Sequence, residues 1–466
     1  MSRTDVEAPR DSGPIFSMGW RELWLKEDWW AVWLGVGIVG VGYFLFAHGA
    51  SLQWIAVTPA KWSGFAQLGA DFSANALRYI AQFVFWLALF GIALTALGHK
   101  AREFVPSFIF LYVASVLIFA LGQWSQAVFY DLEPPLVALV LGLLISNTVG
   151  LPRWLDAGFR VEFYIKIGII LLGATLPFTL ILWAGPVAII QASIVSVVTF
   201  VVIFAVARKL GLDPQLSSVL GVGGAVCGVS GAIAIAGAVG AKKEYAPIAI
   251  TVVILWAIVM IFFLPLASRL LHLPAGVAGA WIGTSEFADA AGIAAAQTYA
   301  GFAGQVSGIS GTPDQTVWAF TLMKVVGRDI WIGIWAFVLA IISTTRWERT
   351  ASGRRPDVAE IWWRFPKFVI GFLLASIIIT LVARGYSQAA FAKEVNPVLV
   401  APIKDLRTWA FIFCFLSIGL TTRFRELAHA GIRPFAAFSV GVLVNVILGF
   451  ILSVYVFAAH WQNLVH

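Results

Sequence analysis

Two carboxylates, Glu286 and Asp289, stand three residues apart in WIGTSEFADAAGIAAAQ (Trp281 to Gln297), a stretch otherwise apolar enough to lie in hydrocarbon. A second stretch, TLMKVVGRDIWIGIW, carries Lys324, Arg328 and Asp329. Charge at a bilayer centre costs at least ~2.5–3.5 kcal/mol per residue, so it persists mainly where it is used or paired. A carboxylate in a dry site pairs with a cation or takes up a proton. Glu286 and Asp289 are therefore candidates to bind coupling H⁺ or Na⁺, with Asp329 and Thr199 grouped beside them as coupling or charge-balancing groups. Lys324 and Arg328 are four apart and share one helix face. Lys324, one turn nearer an interface, could snorkel, whereas Arg328 could not easily do so. Arg328 either contacts an anionic substrate or forms a structural ion pair with Asp329, Glu286 or Asp289.

A third stretch, LSSVLGVGGAVCGVSGAIAIAGAVG, holds seven glycines and no compensating bulk. The glycines around Cys227 favour an unwound segment, and bare backbone is tolerated at membrane depth only where it lines a cavity. Half-helix N-termini with free N–H groups are ready anion cradles. Cys227, Gly228, Val229, Ser230 and Gly231 are the candidate cradle, with Ser285 facing it and Lys324 and Arg328 supplying positive charge. The competing reading is that the glycines simply let helices pack closely. No CxxC, HExxH, Walker A or GxSxG motif occurs, and GVGGAVCG does not fit the dinucleotide pattern. An intramembrane aspartyl protease would need its two acids on separate motif-bearing segments, which are absent. The chain is therefore expected not to be an enzyme and to need no cofactor or metal beyond a coupling H⁺ or Na⁺.

The elements that must hold these residues are membrane helices. The 466 residues are 60% apolar and only 12% charged, with a mean hydropathy of +0.89. That much apolar surface cannot be hidden in a soluble fold of this length. The net charge of +7 reflects basic loops and gives no ground for a nucleic-acid partner. The two cysteines, Cys227 and Cys414, lie in apolar segments and imply no disulfide framework. The opening MSRTDVEAPRDSGPIF is mixed in charge and reads as a cytoplasmic tail over residues 1–30.

At about 20 residues per span, thirteen segments qualify: 31–47, 77–97, 104–121, 135–149, 165–183, 186–206, 216–239, 247–271, 276–300, 317–343, 368–383, 409–420 and 434–457. The expected fold is an all-α polytopic membrane protein, with extra N-terminal helices over 31–130 and a transporter core over 131–460. Loop charge favours a cytoplasmic N-terminus. Lys100/Arg102, Arg153/Arg160, Arg208/Lys209, Arg269, six basic residues after Ser343, and Arg423/Arg425/Arg433 then lie inside. Two outside loops disagree: Lys242/Lys243, and the stretch with Arg384, Lys393, Lys404 and Arg407.

In that topology GATLPFTLILWAG (Gly173–Gly185) aligns without gaps on GLTTRFRELAHAG (Gly419–Gly431), with five identities, and the two turns face opposite sides. This is the sign of an inverted repeat in a secondary transporter. The same 246-residue offset pairs Thr199 with Asn445, two small polar groups expected to face each other across the pseudo-symmetry axis. Asn445 joins the candidate substrate contacts, against the alternative of a helix–helix hydrogen bond. Counting from span starts puts Glu286, Arg328, Cys227 and Asn445 ten or eleven residues in, hence about 15 Å deep at helical rise.

From Pro135 onward the chain resembles a family of bacterial inner-membrane proteins described as sulfate exporters. The resembling stretches, in the family's order, are PPLVALVLGLLISN, GIILLGATL, AVCGVSGAIAIA, WIGTSEFADAAGIAAA, TLMKVVGRD and FLSIGLTTRFRELAHAGIRP. AVCGVSGAIA is the most specific, close to the family's Cys-Gly-x-Ser signature. The resemblance implies an inverted-repeat fold with crossed discontinuous helices and a small oxyanion or sulfonate-like substrate. Two positions depart from it: Phe287 and Ala288 replace a His or Asn followed by an acid, and Gly327 precedes Arg328 where the family places Arg one residue earlier. The expectation is a multi-pass inner-membrane carrier of a small anion, H⁺- or Na⁺-coupled and homodimeric in the lipid bilayer. The alternatives are a passive anion channel or a carrier of organic carboxylates or sulfonates. Arg328→Ala is expected to abolish transport and leave folding intact.

Overall fold

The computed structural model describes residues 22–129, 134–176, 178–242, 244–303, 308–347, 362, 365–423 and 431–464. Most of the N-terminal tail, Lys243, the basic stretch 348–361 and residues 424–430 of the second turn motif lie outside the described residues. The protein is an all-α polytopic membrane protein. Its helices are α1 (Glu27–Ala47), α2 (Phe65–Ala96), α3 (Ala101–Gly122), α4 (Pro134–Thr148), α5 (Val161–Gly173), α6 (Phe178–Lys209), α7 (Pro214–Ala225), α8 (Val229–Ala238), α9 (Tyr245–Leu270), α10 (Ala275–Ser285), α11 (Asp289–Phe302), α12 (Pro313–Thr321), α13 (Trp331–Ile342), α14 (Phe368–Ala383), α15 (Ala401–Thr421) and α16 (Ile432–Ile451). Seven stretches among the described residues are long and apolar enough to cross a membrane by themselves: α1, α2, α3, α6, α9, the continuous α12–α13 and α16 with its extension to Val456.

Call the end of the bundle where α1 begins the base and the other the top. Side-chain contacts orient every later helix against these ends. Lys166 of α5 meets Glu27 and Asp28 of α1, so α5 also rises from the base. Arg407 of α15 donates to Thr175 at the top of α5 at 3.1 Å, so α15 descends. Ser193, Ser196 and Phe204 of α6 lie against Trp331, Trp335 and Trp347 in that order. Helix α6 and the α12–α13 helix are therefore parallel, and both descend.

The two broken segments do not cross. Gln215 at the start of α7 donates to the carbonyl of Val239 just after α8, at 3.1 Å. A straight segment would separate them by more than 30 Å at 1.5 Å per residue. Likewise Tyr299 near the end of α11 reaches the carbonyl of Leu273 just before α10, at 2.5 Å. Residues 214–239 and 275–302 are thus re-entrant hairpins, the first entering from the base and the second from the top. Two of the thirteen expected segments fold back as hairpins, with α9 ascending between them. In place of two discontinuous helices crossing at their breaks, two hairpins meet tip to tip. The physical reason lies in the breaks: once backbone hydrogen bonding is interrupted at mid-depth, hydropathy does not fix whether the chain continues or returns.

This topology removes one charge anomaly. The loop at Lys242 returns to the basic end, beside the ends holding Lys100, Arg208 and Arg423, whereas Arg269 moves to the top. The first repeat turn also shifts: the chain turns at Ala174–Leu176 and α6 then runs unbroken through Pro186. A proline inside a membrane helix is tolerated where neighbours satisfy the freed backbone groups.

Packing is densest within two groups. Helices α1, α4, α5, α14 and α15 form one, with α3 against α4 and α2 against α3. A ring cluster of Trp86, Phe90, Phe108, Tyr112, Trp409 and Phe413 builds α2 and α3 into it. The other group comprises α6 through α13 with α16. Within it α6 and α16 are antiparallel. Gln191 bonds Ser453 at 2.8 Å, and eight residues on, Thr199 bonds Asn445, eight residues back, at 2.9 Å. A small apolar cluster of Leu139, Leu143, Ala257, Ile261 and Ala291 joins the two groups near the second hairpin.

Candidate functional site

The hairpin tips are built by unlike sequences. In the first, α7 starts on Pro214, capped by the Asp213 side chain, which accepts the Gln215 N–H at 3.0 Å. The helix ends at Val226, and Gly228 adopts φ +71°, a left-handed conformation that favours glycine. A Cβ on Gly228 would also lie 2.6 Å from the carbonyl oxygen of Phe287, so this glycine lets the two tips touch. In the second hairpin, Glu286 and Ala288 are extended. The Glu286 Oε1 atom accepts the N–H groups of Phe287 at 2.8 Å and Ala288 at 3.3 Å, and this side-chain cap shapes the turn.

Each tip presents the C-terminus of one half-helix and the N-terminus of the other. The C-terminal carbonyls receive two cations from the wide π-helical turn Leu322–Arg328. Such turns recur at functional positions. Lys324 Nζ donates to the carbonyls of Val226 and Glu286, both at 2.9 Å. Arg328 donates to Thr284 at 2.7 Å, Glu286 at 2.9 Å and Gly283 at 3.3 Å through Nη1, and to Gly224 at 3.1 Å through Nη2. One residue pair therefore clamps both hairpins, placing positive charge where two helix dipoles are negative. Both cations are fully buried, so Lys324 does not snorkel.

The acids lie around this clamp. Asp289 opens α11 and approaches Lys324 at 3.6 Å. Buried oxygens without a hydrogen-bond partner among the described residues include Glu286 Oε2, Asp289 Oδ1 and both oxygens of Asp329. At the free N-terminus of α8, Ser230 Oγ donates to Glu162 Oε2 of α5 at 3.2 Å. Val229, Ser230, Ala288 and Asp289 are partly exposed while their neighbours Cys227, Gly228, Phe287 and Ala290 are buried.

Cys227, Gly228, Val229, Ser230, Gly231, Glu286, Asp289, Lys324, Arg328 and Asp329 thus gather at or beside the tips. Thr199 and Asn445 instead bond each other at the α6–α16 crossing. Ser285 packs beside Gly449 of α16, away from the half-helix N-termini. Glu162 and Lys166 were not singled out by the sequence reading. They stand in RVEFYIKIGIILLG, where charges in a helix's first turns look interfacial. The only available signal was their i, i+4 spacing. At the top, Asp314 of α12 and Lys404 of α15 pair at 3.6 Å across a cavity of about 330 Å³ lined by Thr175, Trp318, Thr380 and Asn396.

Residues 106–438 match the family model described as conserved hypothetical protein 698. A protein of Nitratidesulfovibrio vulgaris named UPF0324 membrane protein is 33% identical over 77% of this chain, which spans 60% of that relative's length. Proteins of the same name from Rhodopirellula baltica and Nitrosomonas europaea are 31% and 27% identical over 88% and 87% of this chain, covering 73% and 90% of their own lengths. No solved structure matches the chain. With well over half of its length matched, the chain belongs to the conserved hypothetical protein 698 family, a family of membrane proteins.

Proposed function

We propose that the protein is a secondary active transporter of a small oxyanion, working by alternating access and coupled to H⁺ or Na⁺. One observation carries the reading: two re-entrant hairpins enter from opposite ends and present two partly exposed half-helix N-termini at mid-depth. Paired dipole ends of this kind suit an anion. The clamp of Lys324 and Arg328 holds the tips together, and the Ala288 N–H is taken by Glu286, so the positive pole for substrate comes from the first backbone N–H groups of α8 near Ser230 and of α11 after Ala288. The resemblance to sulfate exporters supports sulfate, sulfite or a sulfonate as the cargo. The basic end of the bundle is read as cytoplasmic and the N-terminus as lying on the cytoplasmic side of the inner membrane. The working unit is read as a homodimer, a carrier and not an enzyme.

The test is flux into proteoliposomes of the purified chain, using [³⁵S]sulfate and, in parallel, sulfite and taurine. Saturable uptake with counterflow of preloaded unlabelled anion is expected. Flux that rises linearly without saturation, or steady ionic current, would replace the carrier by a channel. Absence of flux for all three compounds would remove the oxyanion and sulfonate classes.

A further inference from the structure

Glu162 belongs to none of the motifs that point to the site, yet it links the two helix groups at the hairpin tip. Its carboxylate accepts the Ser230 hydroxyl at 3.2 Å, and Ser230 is the second residue of α8. A protein carboxylate therefore stands at the α8 N-terminus, where a substrate anion would have to bind. Lys166, one turn along α5, is already matched by Glu27 at 3.0 Å and Asp28 at 2.8 Å of α1. The other titratable groups facing Glu162 are Asp289 of α11, Asp329 beyond the wide turn, Cys227 at the tip and Cys414 of α15.

Counted as ions, the acids exceed the cations. Glu286, Asp289 and Asp329 lie around Lys324 and Arg328, and each keeps a buried oxygen with no hydrogen-bond partner among the described residues, while the cation beside Glu162 is Lys166, already shared by Glu27 and Asp28. Uncompensated charge in a dry site is relieved by proton binding. Glu286 is held by two N–H groups of its own turn, Asp289 faces Lys324, and Asp329 is fully buried. Glu162 is partly exposed and belongs to the helix group opposite the hairpins.

We propose that Glu162 is the residue that couples a proton to the anion, an inference that rests on the chain being an anion carrier. Ionised, its carboxylate fills the α8 N-terminus and excludes substrate. Protonated, it gives up its claim on that N-terminus, and the anion takes its place. Anion and proton are then bound together, so transport is symport.

Infrared difference spectra of the purified protein between pH 5 and pH 8 test the proton directly. A protonated-carboxyl band is expected in the wild type, absent from Glu162→Gln and shifted in Ser230→Ala, with all three monodisperse by size exclusion. Sulfate affinity, read by thermal shift, should weaken with rising pH in the wild type, by about tenfold per pH unit at the limit for one linked proton. Glu162→Gln should bind at pH 8 as the wild type binds at pH 5. A band that survives in Glu162→Gln, or a pH-dependent affinity unchanged by that substitution, overturns the proposal. A Glu162 band that ignores sulfate, sulfite and taurine leaves the proton on Glu162 and overturns the anion reading instead, so the two failures separate.

Discussion

Arg328 makes four hydrogen bonds to carbonyls of two hairpins, and that number changes what its removal should do. Each buried acceptor left unpaired costs about 1–3 kcal/mol. Arg328→Ala is therefore expected to lower the melting temperature of the purified protein markedly, instead of silencing transport on an intact fold. Arg328→Lys, with one compact ammonium, should recover only part of the loss; a melting temperature equal to wild type in the alanine variant would refute the clamp. The charged residues of the tips were legible in the sequence because each is costly in hydrocarbon and sits at the middle of its segment. Glu162 was not, because counting depth from a helix start assumes that the start lies at the surface. Residues 150–160 instead fold inward: Gly158 N–H donates to Ser107 at 2.9 Å, and Tyr164 donates to the Gly158 carbonyl at 2.6 Å. That loop leads into the first turn of α5, where Glu162 meets Ser230 of the first hairpin.

At the scale of elements, hydropathy located both breaks and missed what the chain does after them. A hairpin of 26 or 28 mostly apolar residues has the composition of a span, since lipid and buried protein select the same side chains. Two hairpins in succession also restore the direction of the chain, so every helix after Phe302 keeps its expected sense. Only the loops flanking α9 exchange ends, and the misplaced Lys242/Lys243 pair was the trace of that exchange. The topology makes a plain prediction. In a chain with Cys227 and Cys414 replaced by alanine, Glu244→Cys should react with an impermeant maleimide from the same side as Lys100→Cys. Leu271→Cys should react from the side of Ser63→Cys. Labelling of Glu244→Cys together with Ser63→Cys would restore a continuous first span and end the hairpin model.

For the molecule as a whole, α6 and α16 pack antiparallel about the Thr199–Asn445 bond, and the two hairpins enter from opposite ends. The proposed carrier mechanism needs two conformations, open to either end, which movement of the hairpin group against α1–α5, α14 and α15 would supply. The groups touch through the Glu162–Ser230 hydrogen bond, the Phe178 N–H donated to Thr380 at 2.9 Å, packing of α11 against α4, α5 and α15, and the Asp314–Lys404 pair at the top. That last pair is half exposed on both sides, so it contributes about 0.2–1 kcal/mol at most. It marks a seam and does not weld it. Cysteines at Asp314 and Lys404, in the background lacking Cys227 and Cys414, should each leave sulfate flux in proteoliposomes close to the background rate. Joining them with a short bis-maleimide should stop exchange across the membrane while sulfate still raises the melting temperature, because the anion site stays built and only the movement is blocked. If cross-linked protein exchanges sulfate at the uncross-linked rate, the two groups do not move against each other, and the path must lie within the hairpin group itself.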